Sequence, residues 1–563
     1  MRRDFGHLAT GDFDVVVVGG GICGAAAAWD AAQRGLSVAL LERGDFSGAT
    51  SAESLKVVHG GIRYLQHLDV VRVRESSRER SALLRIAPHL VHPMPFVVPT
   101  YGHAMQGGEA LGAAFALLSL LTADRNRGIA DPARRVPRGH LVSRRKLLEW
   151  FPGVEQKGLT GAGVFYDGQM YNPPRLVWAF VRSALKAGAV AANYCEVTGF
   201  LRRDRRVTGV TVEDRIGGER FEVRARVVIN AAGPYADALL VKAGLRAPSR
   251  PIPFSRDMAL VLRRRIVTDR ALALQTRYHD PSAVLSRGRR HIFLVPWLGS
   301  TLVGVSSAIW RDDPDRLQVT DAEVDGFLEE INEADPALRL TRADVGLVMA
   351  GLLPIDEGNE ADGNVSFGKR PLLVDNARQD GIEGLVTAIV NRYTIARGTA
   401  EEAVDLALRK LGRVPLRSRS RETPLYGGLV RRFDQLVRDV GAELPASLSA
   451  SVAERLAHNH GSAFGDVLRV ARERPDWLRT IPGTDVLRAE VIHAIRAEMA
   501  CRLGDCVFRR TDLATTGDPG AETLEDAATL AAGELGWTAE QRAAELRDVR
   551  ARFPFASAPA ARP

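Results

Sequence analysis

The sequence predicts an α/β fold, Rossmann-like at its start, with a second, β-rich region further along and a helical C-terminal domain. Three observations predict it. Residues 14–42, DVVVVGGGICGAAAAWDAAQRGLSVALLE, read strand, glycine turn, helix, strand. Alternating β patterns recur between residues 251 and 350, and only helical patterns occupy residues 428–555.

Val15 to Val18 form an unbroken apolar run, the mark of a strand buried on both faces. Gly19, Gly21 and Gly24 follow as G-x-G-x-x-G. There the turn is tight, the backbone approaches a pyrophosphate, and the helix packs closely on the strand. The helix N-terminus offers N–H groups and a positive dipole end to the phosphates. A second strand, residues 36–41, ends at Glu42, placed to accept hydrogen bonds from a ribose, with Arg43 beside it. An ordinary βαβ turn is the alternative reading. Cys23 inside the turn is expected to be a small packing residue.

Downstream, Ala49, Thr50 and Ser51 supply small side chains and hydroxyls suited to a pyrophosphate, and His59-Gly60-Gly61 makes a bend where backbone can press against a flat ring. Arg63, able to fork onto phosphate or carboxylate, and Tyr64 follow at once. Residues 69–85 are helical in pattern, 161–166 read as a strand, 173–188 as a helix, and 207–213 with 221–226 as a strand pair. Residues 227–237, VVINAAGPYAD, read as a buried strand breaking at small residues into a helix; Asn230, Ala231 and Gly233 are its candidate contacts. Later strands are expected at 258–262, 291–296, 302–306 and 384–390, and an acidic amphipathic helix at 321–332. The turn Asn391-Arg392-Tyr393-Thr394 then leads into a helix over 395–411.

The chain has 563 residues, enough for several domains, and a modest formal charge of +8. No lysine–aromatic stripe suggests nucleic acid, so none is expected as a partner. Four cysteines, Cys23, Cys195, Cys501 and Cys506, are scattered without a C-x-x-C pair; a disulfide framework, a zinc site or any other metal is not indicated, and a reduced, cytoplasmic setting is. Arg2 and Arg3 precede no apolar stretch, so no secretory signal is expected. Residues 111–121, LGAAFALLSLL, are too short to cross a bilayer; they read either as an interfacial helix, making the protein peripheral at the inner face of the membrane, or as a buried core helix. His458, Asn459 and His460 read as exposed polar residues or a helix end rather than a metal site. Residues 415–427 read as a linker, and the Ala/Pro-rich tail 556–563 as disordered. A homo-oligomer is compatible with all of this.

The GGGICG turn, the ATS run, the segment KVVHGGIRYL and the later APHL and PMPF resemble the FAD-dependent glycerol-3-phosphate dehydrogenases, essentially end to end. The resemblance implies FAD as cofactor. It implies oxidation of the secondary alcohol of sn-glycerol 3-phosphate to dihydroxyacetone phosphate, with quinone or oxygen as electron acceptor. It also implies three units: a discontinuous FAD-binding domain (12–95, 155–250 and 351–412), a substrate-binding cap (96–154 and 251–350) and a C-terminal helical domain (425–555) serving packing or association.

The residues expected to carry catalysis are His59, Arg63 and Arg392. His59 is the candidate base; an alternative role is holding the flavin ring. Arg63, Tyr64, Arg256, Arg392 and Thr394 are the expected substrate contacts, and Asn391 joins the cofactor contacts named above. Where the family has an arginine in G-[VL]-R-P this sequence has Leu353. Where it has K-G-S-H, G-T-T-D and a lysine, this chain has Ser255 to Met258, Gly304 to Ser307, and Arg392. A changed pocket leaves three readings: glycerol 3-phosphate or a related anionic polyol derivative, an oxidase of another alcohol or amine, or a flavin-binding redox module without turnover.

Overall fold

The structure is a computed structural model that describes residues 3–103, 107–246, 253–279, 289–355, 371–553 and 555. Arg2 and the tail expectation for 556–563 lie outside the described residues.

The valine run forms the central strand Asp12–Val18, with Val15, Val16 and Val17 fully buried. It pairs in parallel with Val38–Leu41 and Arg220–Asn230; Val190–Ala192 extends one side and Leu385–Ile389 the other. An antiparallel edge strand, Leu372–Asp375, and a hairpin, Cys195–Arg203 with Arg206–Asp214, complete eight strands. Helices Ile22–Gln33, Pro173–Lys186 and Ala396–Lys410 bury their small and apolar faces on this sheet, around Trp29, Trp178 and Phe180. Alanines at positions 25 to 28 let the first helix approach closely.

A second, nine-stranded sheet runs in the order Val345–Pro354, Phe254–Leu262, Ser300–Trp310, Arg289–Trp297, Ala271–His279, Val91–Tyr101, Leu159–Met170 and Val57–Val58, with His140–Ser143 beside Leu159–Met170. Leu159–Met170 falls within the expected FAD-binding span, yet it pairs with Val91–Tyr101 along its length and so belongs to the second sheet. The chain passes between sheets more often than the expected boundaries allow. Helix Asp321–Ala334, opened by a Thr320/Glu323 capping box, packs Val324, Phe327 and Ile331 on the outer face of this sheet.

Helix Gly108–Leu121 buries only Phe115, with Leu120 75% exposed. That corrects the core-helix alternative. No helix among the described residues is long and apolar enough to cross a membrane.

Six C-terminal helices, from Phe433–Glu443 to Ala539–Arg550, form the last unit. It docks through buried charge. Asp45, just past the second strand, accepts from Arg510 at 2.7 and 2.8 Å, from Arg509 at 2.6 Å and from Asn193 at 2.9 Å. Burial pushes the Asp45 carboxyl up, but the two guanidiniums outweigh it and hold it below its ordinary range. Arg175, on helix Pro173–Lys186, donates to Glu498 at 2.5 Å and to the Asn459 carbonyl. Breaking such a pair costs about 3–5 kcal/mol, because a charge is left buried and alone. The segment 415–427 has no helix or strand, yet Ser420 is buried and accepts from Arg397 at 2.8 Å.

His458, Asn459 and His460 do end a helix, Ala450–His460, but the surface reading is corrected: all three are buried in this seam. His458 stacks on Tyr171 at 4.1 Å and hydrogen-bonds the His89 carbonyl at 2.7 Å. Among the described residues His460, His493 and Glu498 lie close enough to hold an ion. However, the His460 Nδ1 accepts from Arg175 at 3.1 Å and its Nε2 faces Glu490 at 3.4 Å, so both ring nitrogens are engaged.

Burial lowers the pKa of His89 to about 3, and those of His458 and His460 well below the usual value. These imidazoles stay neutral in the fold but protonate when unfolded below about pH 6.5. Each therefore contributes stability that is complete above that pH and is lost progressively as pH falls below it, by up to about 1.4 kcal/mol per pH unit. Urea denaturation between pH 7 and pH 5 is expected to show a falling midpoint. The H458F variant, which cannot take up the proton, is expected to fall less steeply.

Candidate active site

A cleft of about 1480 Å³ runs between the two sheets. It exceeds the roughly 300–1,000 Å³ of a small-ligand pocket and has room for a dinucleotide with substrate beside it.

At one end lies the glycine turn. Gly19 has φ +102°, and a Cβ on Gly24 would sit 1.9 Å from the Gly19 carbonyl oxygen. Only bare backbone fits there, so helix Ile22–Gln33 starts tight against the strand. No side chain of its N-cap residue, Gly21, closes it; the Ser51 hydroxyl accepts from the Ile22 N–H at 3.0 Å. Glu42 lines the cleft, and its carboxylate accepts from the Gly20 and Gly44 N–H groups at 2.6 and 2.8 Å. Burial raises its pKa against those two bonds. Arg43 lies 4.1 Å over the Tyr235 ring and pairs with Asp315, bridging the two halves at the cleft's outer end. Ala49, Thr50, Ser51, Ala231, Gly233 and Asn391 also line the cleft.

Three expected cofactor contacts stand one layer back. Gly24 faces Gly19, Asn230 donates to the Ala236 carbonyl at 2.9 Å, and Gly60 packs on the Arg80 guanidinium. Each shapes a wall that its neighbours present.

Midway along the cleft, His59-Gly60-Gly61 is pinned from both sides. The His59 N–H donates to Thr394 Oγ1 at 2.9 Å, and the Gly60 N–H donates to Asp167 Oδ1 at 2.6 Å. His59 Nδ1 lies 3.1 Å from Asp167 Oδ2, while Arg80 donates to Asp167 Oδ1 at 2.9 Å. The imidazole is 60% exposed to the cleft; Asp167 is buried. Sequence reasoning missed Asp167 and Arg80. The sole signal was a lone Asp inside an apolar strand pattern, in a segment assigned to the other sheet. Thr394 lines the cleft as expected, but its hydroxyl already accepts from His59, which makes it a tie between loops before it is a substrate contact.

At the far end Tyr64 lies between two guanidiniums, Arg72 at 4.6 Å and Arg392 at 5.2 Å from its ring. Arg392 donates to the Tyr64 hydroxyl at 3.2 Å, Ser76 at 3.1 Å and Glu75 at 3.1 Å. Arg63 is exposed to the cleft. The facing wall carries Asp257, His291, Ser307 and Leu353.

Arg256 is corrected as a substrate contact. It is buried on the outer face of its strand, where it pairs with Glu323 and donates to the Gln318 carbonyl at 2.9 Å. Met258 shares that outer face, packed in the core under helix Asp321–Ala334. Side chains alternate along a strand, so the residue presented to the cleft is Asp257. The substitution at Met258 thus lies outside the pocket, whereas Leu353, Gly304 and Ser307 lie within it.

These features fit FAD. A bare-backbone turn meets a helix N-terminus for the pyrophosphate, Glu42 stands at the ribose position, and small residues flank a bend where a flat ring can lie. A G24A variant is expected to fold around a misplaced helix start and purify without yellow colour, read as flavin absorbance per protein against wild type.

Comparison with known proteins agrees. A family model described as FAD dependent oxidoreductase matches residues 14–407, and one described as the C-terminal domain of alpha-glycerophosphate oxidase matches residues 418–542. The glycerol-3-phosphate dehydrogenase of Synechocystis is 31% identical over 546 residues, covering 96% of each chain. That of Mycobacterium leprae is 33% identical over 556 residues, covering 97% of this chain and 89% of its own. The glycerol-3-phosphate dehydrogenase structure from Bacillus halodurans, complexed with FAD, has the same fold: TM-score 0.75, 24% identity, 98% of this chain and 96% of that one. The chain belongs to the FAD-dependent oxidoreductase family, within its glycerol-3-phosphate dehydrogenase branch.

Proposed function

We propose that the protein oxidises the C2 alcohol of sn-glycerol 3-phosphate, or of a closely related anionic polyol derivative, to the ketone. The observation that carries this is the arginine-lined end of the cleft, where Arg63 is exposed and Arg72 and Arg392, paired with Asp69 and Glu75, lie against Tyr64 beside the flavin-binding bend. FAD, when bound, supplies the hydride acceptor, and quinone or oxygen takes the electrons afterwards. The chain supplies the rest. Arg63 and Arg392 hold the phosphate, Tyr64 is fixed between guanidiniums as a pocket wall, and Asp257 with Ser307 offers hydrogen-bond partners to hydroxyls on the facing sheet. His59 takes the hydroxyl proton as the C–H bond breaks. The closed walls hold carbinol and base together, which supplies much of the acceleration.

Arg392 stands where the family carries lysine, and its planar fork grips an anion by two parallel bonds. Leu353 removes one further arginine from the pocket. The phosphate therefore rests on the helix side of the cleft more than on the sheet side.

Helix Gly108–Leu121 extends the reading. Leu117 and Leu120, with Leu68 and Val71 nearby in the fold, are exposed apolar groups, and Arg127, Arg135 and Arg138 are exposed close behind them in sequence. An apolar face bordered by cations suits the interface of an anionic membrane. Leu111 of the same helix lines the cleft, so engagement there brings the active site toward a lipid-dissolved acceptor.

Two outcomes test these assignments. Anaerobic addition of sn-glycerol 3-phosphate is expected to bleach the flavin; no bleaching would overturn the substrate. R392M is expected to cost about 2–5 kcal/mol of transition-state binding, a fall of roughly 30- to 5,000-fold in kcat/KM. Separately, the holoenzyme is expected to sediment with vesicles of anionic phospholipid. L117E/L120E is expected to stay in the supernatant with its rate of flavin reduction unchanged.

A further inference from the structure

Asp167 is a carboxylate with no proton to give. Burial alone pushes its pKa up, but hydrogen bonds from His59 and Gly60 and the Arg80 guanidinium outweigh burial and hold it below the ordinary range. Its Oδ1 already receives the Gly60 N–H and an Arg80 N–H, both obligatory donors. Its Oδ2 faces His59 Nδ1 at 3.1 Å. A contact between an acceptor-only oxygen and an imidazole nitrogen requires the proton on that nitrogen. In neutral His59 the other nitrogen, Nε2, then carries the lone pair.

We propose that Asp167 is a positioning residue that fixes His59 in its Nδ1–H tautomer, leaving Nε2 as the atom that takes the substrate hydroxyl proton. This rests on the reading of His59 as the base. In the step, the O–H proton moves to Nε2 and the imidazole becomes an imidazolium, while FAD held at the bend would supply the acceptor for the hydride that the carbinol carbon gives up in becoming a ketone. The buried carboxylate faces that new cation directly. Arg80 keeps Asp167 ionised while His59 is neutral, and ties it to the Tyr166 carbonyl at 2.7 Å, so the pair cannot drift. The other charged groups lining the cleft near this site are Arg63 and Arg392 on the helix side and Asp257 and His291 on the sheet; the group facing Nδ1 is the Asp167 carboxylate. Nδ1 is thus governed by Asp167.

The D167N variant tests this sharply. Its amide oxygen must take the Oδ1 place, because Gly60 and Arg80 only donate. The NH₂ then points at His59 Nδ1, forcing the ring proton onto Nε2 and removing the base. Selective ¹⁵N-histidine labelling of the holoenzyme, with H59Q identifying the His59 signals, is expected to show a protonated Nδ1 and a pyridine-type Nε2 in wild type and the reverse in D167N. Flavin reduction by sn-glycerol 3-phosphate is expected to slow on the order of 10²-fold in D167N with little change in substrate KM. H59Q/D167N is expected to be no slower than H59Q. Should the unpaired Arg80 keep D167N from folding, R80M/D167N removes both charges and is expected to show the same kinetic loss.

A protonated Nε2 in wild type, an unchanged tautomer in D167N, or additive losses in the double variant would each overturn the proposal. A rate untouched by H59Q would instead remove His59 as the base, while the tautomer measurement still judges Asp167 on its own.

Discussion

Two adjacent backbone amides decide how this molecule is put together. The N–H of His59 is bound by Thr394, from the turn after the last parallel strand, and the N–H of Gly60 by Asp167, from the last strand but one of the second sheet. A short bend is thus clamped between halves of the protein that share no strand. Each bond is an ordinary one, worth about 1 kcal/mol net. Their effect is geometric, because together they fix where the flavin-facing backbone sits relative to both walls of the cleft. The first sheet carries the glycine turn, the second forms the facing wall of the cleft, and the bend holds them in register.

How much of this was legible depended on whether the signal was local. The strand–turn–helix of residues 12–41 was readable because G-x-G-x-x-G is a steric demand on adjacent residues, visible as bare backbone at Gly24. Arg63, Tyr64 and Arg392 could be named from sequence because two guanidiniums and a phenol carry their chemistry in the residue type, and the structure brings all three to one cleft. Asp167 was hidden: a single acid on a strand becomes significant only when Val57–Val58 pairs with Gln169 and Gly168, bringing His59 alongside. Arg256 misled for the opposite reason. Its charge suggested substrate, but strand parity puts it on the outer face with Glu323, and one residue's difference brings Asp257 to the cleft instead.

The C-terminal domain was expected to serve packing, and its docking chemistry explains its retention of buried charge. Arg509 and Arg510 cross to Asp45, and Arg510 also lies 4.7 Å over Trp178. Arg175 reaches the opposite way, into Glu498. Apolar contacts hold domains together with little directional demand. A carboxylate saturated by two guanidiniums and an amide tolerates one placement only, and Asp45 lies three residues beyond Glu42, at the ribose end of the cleft.

Asp45 and Arg510 are 465 residues apart in the chain. At the roughly 5–20 residues per second of synthesis, about half a minute to a minute and a half separates their exit from the ribosome. Throughout that interval the nucleotide-binding sheet stands with an uncompensated acid in its flank. Maturation of the prosthetic-group site is therefore tied to completion of translation, and a message cut short near its end yields a polypeptide whose earliest-made portion is the part left unfinished.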